Sequence, residues 1–209
     1  MARLKQGILG PVSGSVGTIT GSSWKDIDYI RSKSTRSKGE PSAAQLDNQH
    51  KFSLVMNFIS TMTELLQQTF AKFANGMSES NAAFSYNFSN AITGTSPDYS
   101  IDYSKVLVSR GELHNASGVA ATITNKAVHF TWTDNSGMGL AAAADKAVLV
   151  AYCRNYNLTM YSIGTAVRSA QAAVLDVSNF TGFTVETWIA FLDNEGTASN
   201  SIYTGELTV

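Results

Sequence analysis

The chain has 209 residues, 44% of them hydrophobic, with 15 basic and 16 acidic side chains and a formal net charge of −1. This is an ordinary soluble composition, enough for one sizeable domain or a small domain with a substantial appendage. Cys153 is the only cysteine, which excludes an intramolecular disulfide and a cysteine zinc site.

The charge is uneven along the chain. Residues 1–39 carry seven basic side chains against Asp26 and Asp28, a net +5, so the remainder carries −6. A basic arm on an acidic body favours docking of one onto the other, within or between subunits. The arm begins with GILGPVSGSVGTITG, in which Gly7, Gly10, Gly14, Gly17 and Gly21 are spaced three and four apart. That spacing would stripe a helix, but Pro11, the β-branched Val12, Val16, Thr18, Ile19 and Thr20, and about 1 kcal/mol lost per glycine argue for extended chain instead. Glycine then serves where φ is positive or where another backbone lies too close for a Cβ. Such an arm is poor in core-forming side chains, so it is expected to be ordered by lying on another surface. SSWKDIDYIRSK follows, with Trp24, Ile27 and Tyr29 as expected anchors and Arg31 beside them.

Pro41-Ser42 followed by Gln45 forms a capping box that starts a helix. Phe52, Val55, Met56, Ile59, Met62, Leu66, Phe70 and Phe73 recur every three or four residues, predicting one amphipathic helix reaching Phe73 and stopped by Asn75-Gly76. A shorter helix is expected within 78–94, ended by Gly94. From about residue 98 the pattern changes to period-two alternation: KVLVSRGEL, VAATI, AVHFTW, ADKAVLVAYC, LTMYSI, AAVLDV, FTVETWIAFLD and SIYTGELTV read as about eight strands separated by turns such as TNK, TDNSG and DNEG. With no crossover helices between them, these fit a sandwich of two antiparallel sheets centred on Trp132 and Trp188. The expected fold is therefore α+β: a basic glycine-rich arm (1–40), a helical segment (41–97) and a β-sandwich (98–209).

Chemistry-bearing patterns are sparse. His50, His114 and His129 have no metal-binding spacing, no serine sits in a nucleophile elbow, and no phosphate loop is present. Asp134-Asn135-Ser136 and Asp193-Asn194-Glu195 read as hairpin turns, since the alternating ligands of a calcium loop are missing. Cys153, within VLVAYC, reads as a buried structural thiol. The N-terminus lacks the apolar core of a signal peptide, so synthesis in the cytoplasm is expected, and no segment reads as a membrane span. These features imply neither catalytic residues, cofactor nor metal.

The motifs GILGPVSGSVGTITGSSWKDIDYIRSK, EPSAAQLDNQHKF, NAITGTSPDYSIDYSKVLVSRGEL, HFTWTDNS, DKAVLVAY and SIYTGEL together resemble a Bacteroidota family of unknown function with proteins of about this length. Asp26 and the KGEPSAAQ turn depart from its usual pattern. The resemblance implies an arm, a helical segment and a C-terminal sandwich similar to the fibronectin type III and immunoglobulin classes, and it brings no catalytic residues.

Two functions follow as expectations. The first is a structural subunit that self-assembles through its arm into a shell, tube or filament, as bacteriophage virion proteins do, with Gly7, Gly10, Gly14, Gly17, Gly21, Trp24, Tyr29 and Arg31 at the interface. Its partners would be further copies or other structural subunits, with nonspecific nucleic-acid contact by the basic arm as a secondary expectation. The alternative is a binding module whose sandwich loops hold a glycan or protein ligand, with Tyr156, Tyr161 and Tyr203 offered for stacking.

Overall fold

A computed structural model describes residues 3–4, 10–25, 27–33 and 39–209. The chain divides into two compact units, residues 1–42 and 43–209.

In the first unit the arm folds on itself. Strands β1 (Arg3–Leu4), β2 (Val12–Val16), β3 (Ile19–Trp24) and β4 (Ile27–Ser32) form an antiparallel sheet in sequential order. The expectation of an arm ordered only by an external surface is thus corrected: backbone pairing supplies order that side-chain burial does not. A Cβ on Gly21 would lie 2.0 Å from the Val12 carbonyl oxygen, so β2 crosses β3 at a distance only glycine allows. Gly14, with φ +101°, turns the strand through a conformation that side chains rarely adopt. Gly21→Ala is expected to open this sheet. Amide hydrogen exchange across residues 12–32 would rise to near-unprotected rates, while exchange in the second unit stays unchanged.

The second unit begins with α1 (Ala43–Ser60), which starts directly after Ser42, as the capping box predicts. The expected single helix to Phe73 is broken, however, into α1, α2 (Thr63–Thr69) and a 3-10 turn at Ala71–Phe73. Hydroxyls explain the break: Ser60 Oγ donates to the Asn57 carbonyl at 2.9 Å and Thr61 Oγ1 to the Phe58 carbonyl at 2.8 Å, competing with the helical ladder. Helix α3 (Glu79–Asn90) is capped by Ser78, whose side chain accepts from the Asn81 amide. It ends before Gly94, correcting the expected stop there. Gly94 instead belongs to β5 (Ile92–Thr95), which forms a hairpin with β6 (Asp98–Ile101).

The β5–β6 hairpin is tied to α1. Tyr99 donates its hydroxyl to Asp47 Oδ1 at 2.5 Å, and Lys51 pairs with Asp47 Oδ2 at 2.9 Å. These bonds, that of Tyr99 foremost, lower the Asp47 carboxyl to about 2. Because the folded value lies below the ordinary one, the contribution is fully present above the usual carboxylate range and is lost as pH falls through about 2. Tyr99→Phe is expected to move the Asp47 titration upward, toward an ordinary carboxylate, as read by carboxyl-carbon NMR. An unmoved midpoint would show that the tyrosine bond is not what lowers it.

Seven strands follow: β7 (Ser117–Thr124), β8 (Ala127–Thr133), β9 (Lys146–Cys153), β10 (Leu158–Val167), β11 (Ala172–Asp176), β12 (Thr184–Leu192) and β13 (Ile202–Thr208). They form two antiparallel sheets, ordered β11-β8-β7 and β10-β9-β12-β13. The TNK turn between β7 and β8 holds Asn125 and Lys126 at φ +52° and +62°, as a tight two-residue hairpin turn demands. KVLVSRGEL, expected as a strand, is not one. Its backbone is satisfied individually: the Leu107 amide donates to Asn87 Oδ1, Asn87 Nδ2 to the Leu107 carbonyl, the Val108 amide to Ser201 Oγ, and Thr69 Oγ1 to the Val108 carbonyl. Val106 and Val108 are buried nonetheless, so apolar alternation here marks a threaded connection.

The unit has three layers. On β9, Ala147, Leu149, Ala151 and Cys153 pack with Val128, Phe130 and Leu175 of the smaller sheet. The alternate residues Val148, Val150 and Tyr152 pack with Phe58, Ile59 and Leu66 of the helices. The central sheet is covered on both faces, which is why β9 and β12 read as nearly unbroken apolar runs. The expectation that both tryptophans centre the sandwich holds for Trp132, between the sheets, and is corrected for Trp188, which faces the helices. Trp188 lies 5.7 to 6.2 Å from the rings of Tyr203, Tyr103 and Phe58. Its buried indole N–H makes no hydrogen bond to any described residue, a cost of about 1–3 kcal/mol outweighed by the burial of the whole side chain among aromatic rings. Cys153 is fully buried.

Candidate assembly interface

The register of the arm sheet sorts its side chains. Trp24 faces Ile27, Ser22 faces Tyr29 and Thr20 faces Arg31 across β3 and β4. Since directly opposed residues share a face and alternate residues do too, Trp24, Ile27, Tyr29 and Arg31 lie together. The bond between Ser15 Oγ and Thr20 Oγ1, 3.0 Å long, extends this face onto β2. Val16, Ile19 and Ile30 belong to the opposite face with Gly14 and Gly21. The sequence-predicted Trp24, Tyr29 and Arg31 are therefore brought onto one surface. Ile27, also an expected anchor, shares that face, while Ile30 lies on the opposite one.

The described glycines stand where φ is positive, as at Gly14 and Gly17, or where another backbone lies close, as at Gly21. Gly10 sits at a bend before β2, Gly17 is in the β2–β3 turn at φ +55° with open space where a Cβ would be, and Gly21 abuts Val12 of the same arm. The close approach described is thus internal to the arm. Gly7 lies outside the described residues.

Exposure makes this unit unusual. Ile27 is 68% exposed, Ile30 59%, Trp24 55% and Tyr29 43%. Every residue of β4 is exposed, and β4 is the edge of its sheet. An edge strand bearing large apolar side chains is a template for pairing with another chain.

The second unit has an exposed apolar loop of its own. The β8–β9 loop carries Met138 and Leu140, 55% and 65% exposed. Leu140, with Lys72, Phe73, Asn75, Gly111, Glu112 and Thr197, lines a cleft of about 370 Å³. Lys72 Nζ donates to Thr197 Oγ1 at 2.5 Å. A Cβ at Gly111 would lie 1.8 Å from the Ala198 carbonyl oxygen, so the floor of the cleft is closely packed backbone. Beside it, the Arg110 guanidinium lies 4.7 Å from the Phe73 ring centroid and 5.1 Å from that of Tyr86.

A buried network holds the loop. Arg168, wholly buried, donates to Asp145 Oδ2 at 2.9 Å, to Asn135 Oδ1 at 2.6 Å and to the His114 carbonyl at 3.0 Å, with its guanidinium 3.9 Å from the Phe191 ring centroid. Trp132 Nε1 donates to the Arg168 carbonyl, and Asn135 Nδ2 to the Asn115 carbonyl. Asp145 Oδ2 also accepts from the Ala142 amide. Both ends of the loop are thereby fixed from inside, and Asn135, expected as a turn residue, is buried within the network. Sequence reading missed this set because a lone arginine in TAVRSA carries no pattern.

Elsewhere, polar groups are committed to each other. Glu186, buried, accepts from Arg154 and, at 2.5 Å, from the Tyr203 hydroxyl. Tyr161 donates to Glu64 at 3.0 Å, and Tyr156 packs edge-on against Phe183. The three tyrosines offered for ligand stacking therefore have separate structural partners. Among the described residues, no group of three or more His, Cys, Asp or Glu side chains could hold a metal ion. No helix among them is long and apolar enough to cross a membrane.

Fold and surface thus define a helix-backed, two-sheet protein preceded by an exposed β-ribbon. The chain belongs to a family of unknown function, DUF6266, whose profile matches residues 11–205. No curated protein matches it. Among solved structures, the Clostridium perfringens spore cortex lytic enzyme SleM is similar at 14% identity and a TM-score of 0.32, over 56% of this chain and 36% of that chain. The chain thus spans little more than a third of that protein's length, and a likeness of this size bears on neither fold nor activity.

Proposed function

We propose that this protein is a non-enzymatic structural subunit that self-assembles through its N-terminal ribbon into a shell, tube or filament, the kind of particle from which a bacteriophage virion is built. The observation that carries the reading is β4, an edge strand exposed along its whole length and bearing Ile27, Tyr29 and Ile30. A monomer gains nothing by presenting such an edge, whereas a neighbouring copy can bury it, each large side chain contributing up to about 1.5–3 kcal/mol. The net +5 on residues 1–39 against −6 on the rest favours the body of another copy as the partner. The strand orders β11-β8-β7 and β10-β9-β12-β13 support a fibronectin type III-like sandwich as the body, because two consecutive strands lie in the first sheet before the chain crosses to the second. Light scattering on the full chain is expected to give a mass that rises with concentration above that of one chain and falls as salt screens the charges. A single-chain mass at every concentration and salt level would overturn the proposal.

A further inference from the structure

We infer that the helical side of the second unit carries a binding site for a small hydroxylated carboxylate, a sugar acid, whose carboxylate is received by Arg110. The site is independent of assembly through the ribbon. A cavity of about 250 Å³ opens along α3, where Ala82, Ser85, Tyr86 and Ser89, spaced as one helical face, line it together with Arg110. The Arg110 guanidinium lies over the Phe73 ring, 4.7 Å from its centroid, and over the Tyr86 ring at 5.1 Å. Stacking of this kind engages the flat face of a guanidinium and leaves its N–H groups pointing outward in the plane. Arg154 and Arg168 spend theirs on Glu186 and Asp145. Among the described residues, no carboxylate or other acceptor takes those of Arg110.

Backbone bonds hold this arginine in place. The Arg110 amide donates to the Thr69 carbonyl at 3.1 Å, Ser109 Oγ to the Ser199 carbonyl at 2.7 Å and the Gly111 amide to Asn200 Oδ1 at 3.2 Å. A cation fixed this way loses little freedom on binding. Charge selects the anion. Among the described residues lining the cavity Arg110 alone is charged, which matches a single negative charge, and a planar carboxylate meets its fork through two parallel hydrogen bonds. The cavity reaches Asn90, the last residue of α3, and the carbonyl end of a helix disfavours a doubly charged phosphate. The hydroxyls of the ligand follow from two neighbouring side chains. Ser89 Oγ donates to the Ser85 carbonyl at 3.0 Å and Asn90 Nδ2 to the Tyr86 carbonyl at 2.7 Å, so Ser89 Oγ and Asn90 Oδ1 are left as acceptors. They call for donors on the ligand, which a fatty acid lacks and a sugar acid has. The volume lies below the ~300–1,000 Å³ of pockets that enclose drug-sized molecules, which limits the occupant to about one sugar unit.

Glucuronate added to the full chain is expected to give saturable binding in ligand-observed NMR, a readout that serves assembled and single-chain protein alike. Glucose, which lacks the carboxylate, and hexanoate, which lacks the hydroxyls, are each expected to bind at least ~10-fold more weakly. Arg110→Gln should bring glucuronate down to the affinity of glucose. Ser89→Ala, at an exposed helical position, should weaken glucuronate but not hexanoate. Lys126→Gln, in the β7–β8 turn, should change nothing. Glucuronate that does not approach saturation by ~10 mM, or that binds no better than glucose or hexanoate, would overturn the site. So would displacement of glucuronate by a lower concentration of inorganic phosphate, or unchanged binding in Arg110→Gln. The comparisons among ligands use the unaltered chain, so they decide the matter however the variants fold.

Discussion

Arg168→Ala is expected to lower stability by about 3–5 kcal/mol in chemical denaturation. The cost comes from desolvation rather than from lost attraction: the pair gains little over an apolar replacement, but removing one partner leaves the other charged in a dry site. Here Asp145 is 2% exposed and would keep only the Ala142 amide, while Asn135 and the His114 carbonyl lose donors. Asp145→Ala should be similarly costly, and the double variant should cost clearly less than the sum of the two. Additive costs would show that the pair is not coupled. Since the same residues hold the Leu140 loop, hydrogen exchange at 134–145 should rise in either single variant.

Phe58→Ala is the second large effect, also about 3–5 kcal/mol. Phe58 is 1% exposed and meets Tyr152 at 4.9 Å, Tyr103 at 5.8 Å and Trp188 at 6.2 Å between ring centroids. It is the point where the helices enter the core of the central sheet, so the cavity would be felt by both layers. Far-UV circular dichroism, reporting helix, and near-UV signals, reporting the buried aromatic rings, should therefore shift together to lower denaturant. Separate transitions for the two signals would contradict a core shared by the helices and the central sheet.

How far the sequence foretold this structure depended on range. The helix start after Ser42, the TNK turn and strands β7 to β13 rest on local spacing and turn chemistry and were legible. What failed was decided by individual side-chain bonds, some to distant partners and some to neighbours on the same helix. KVLVSRGEL alternates like a strand, yet Asn87, Thr69 and Ser201 satisfy its backbone one group at a time. The amphipathic stripe to Phe73 hid a break made by Ser60 and Thr61, whose hydroxyls take carbonyls from the ladder. The apolar run in β9 announced a strand but not that its two faces serve two cores. In the ribbon, Trp24, Tyr29 and Arg31 were identifiable from composition and do share a face. The glycine spacing foretold positive φ, as at Gly14 and Gly17, and a close backbone, as at Gly21, but not that the neighbour of Gly21 is Val12 of the same ribbon. The cleft at Leu140 had no sequence signal, because it is assembled from segments around residues 72, 111, 140 and 197.

The central claim is that the ribbon joins copies of this protein, and removal of the ribbon tests it most directly. Size-exclusion chromatography with light scattering, and negative-stain microscopy of the same fractions, would compare the full chain with a chain beginning at Ser42. The account predicts regular particles or a concentration-dependent mass for the full chain and a folded single-chain species for the shortened one, since residues 43–209 form a unit with its own cores. Particles that persist without the ribbon, or a single-chain mass with it at every concentration, would contradict the account.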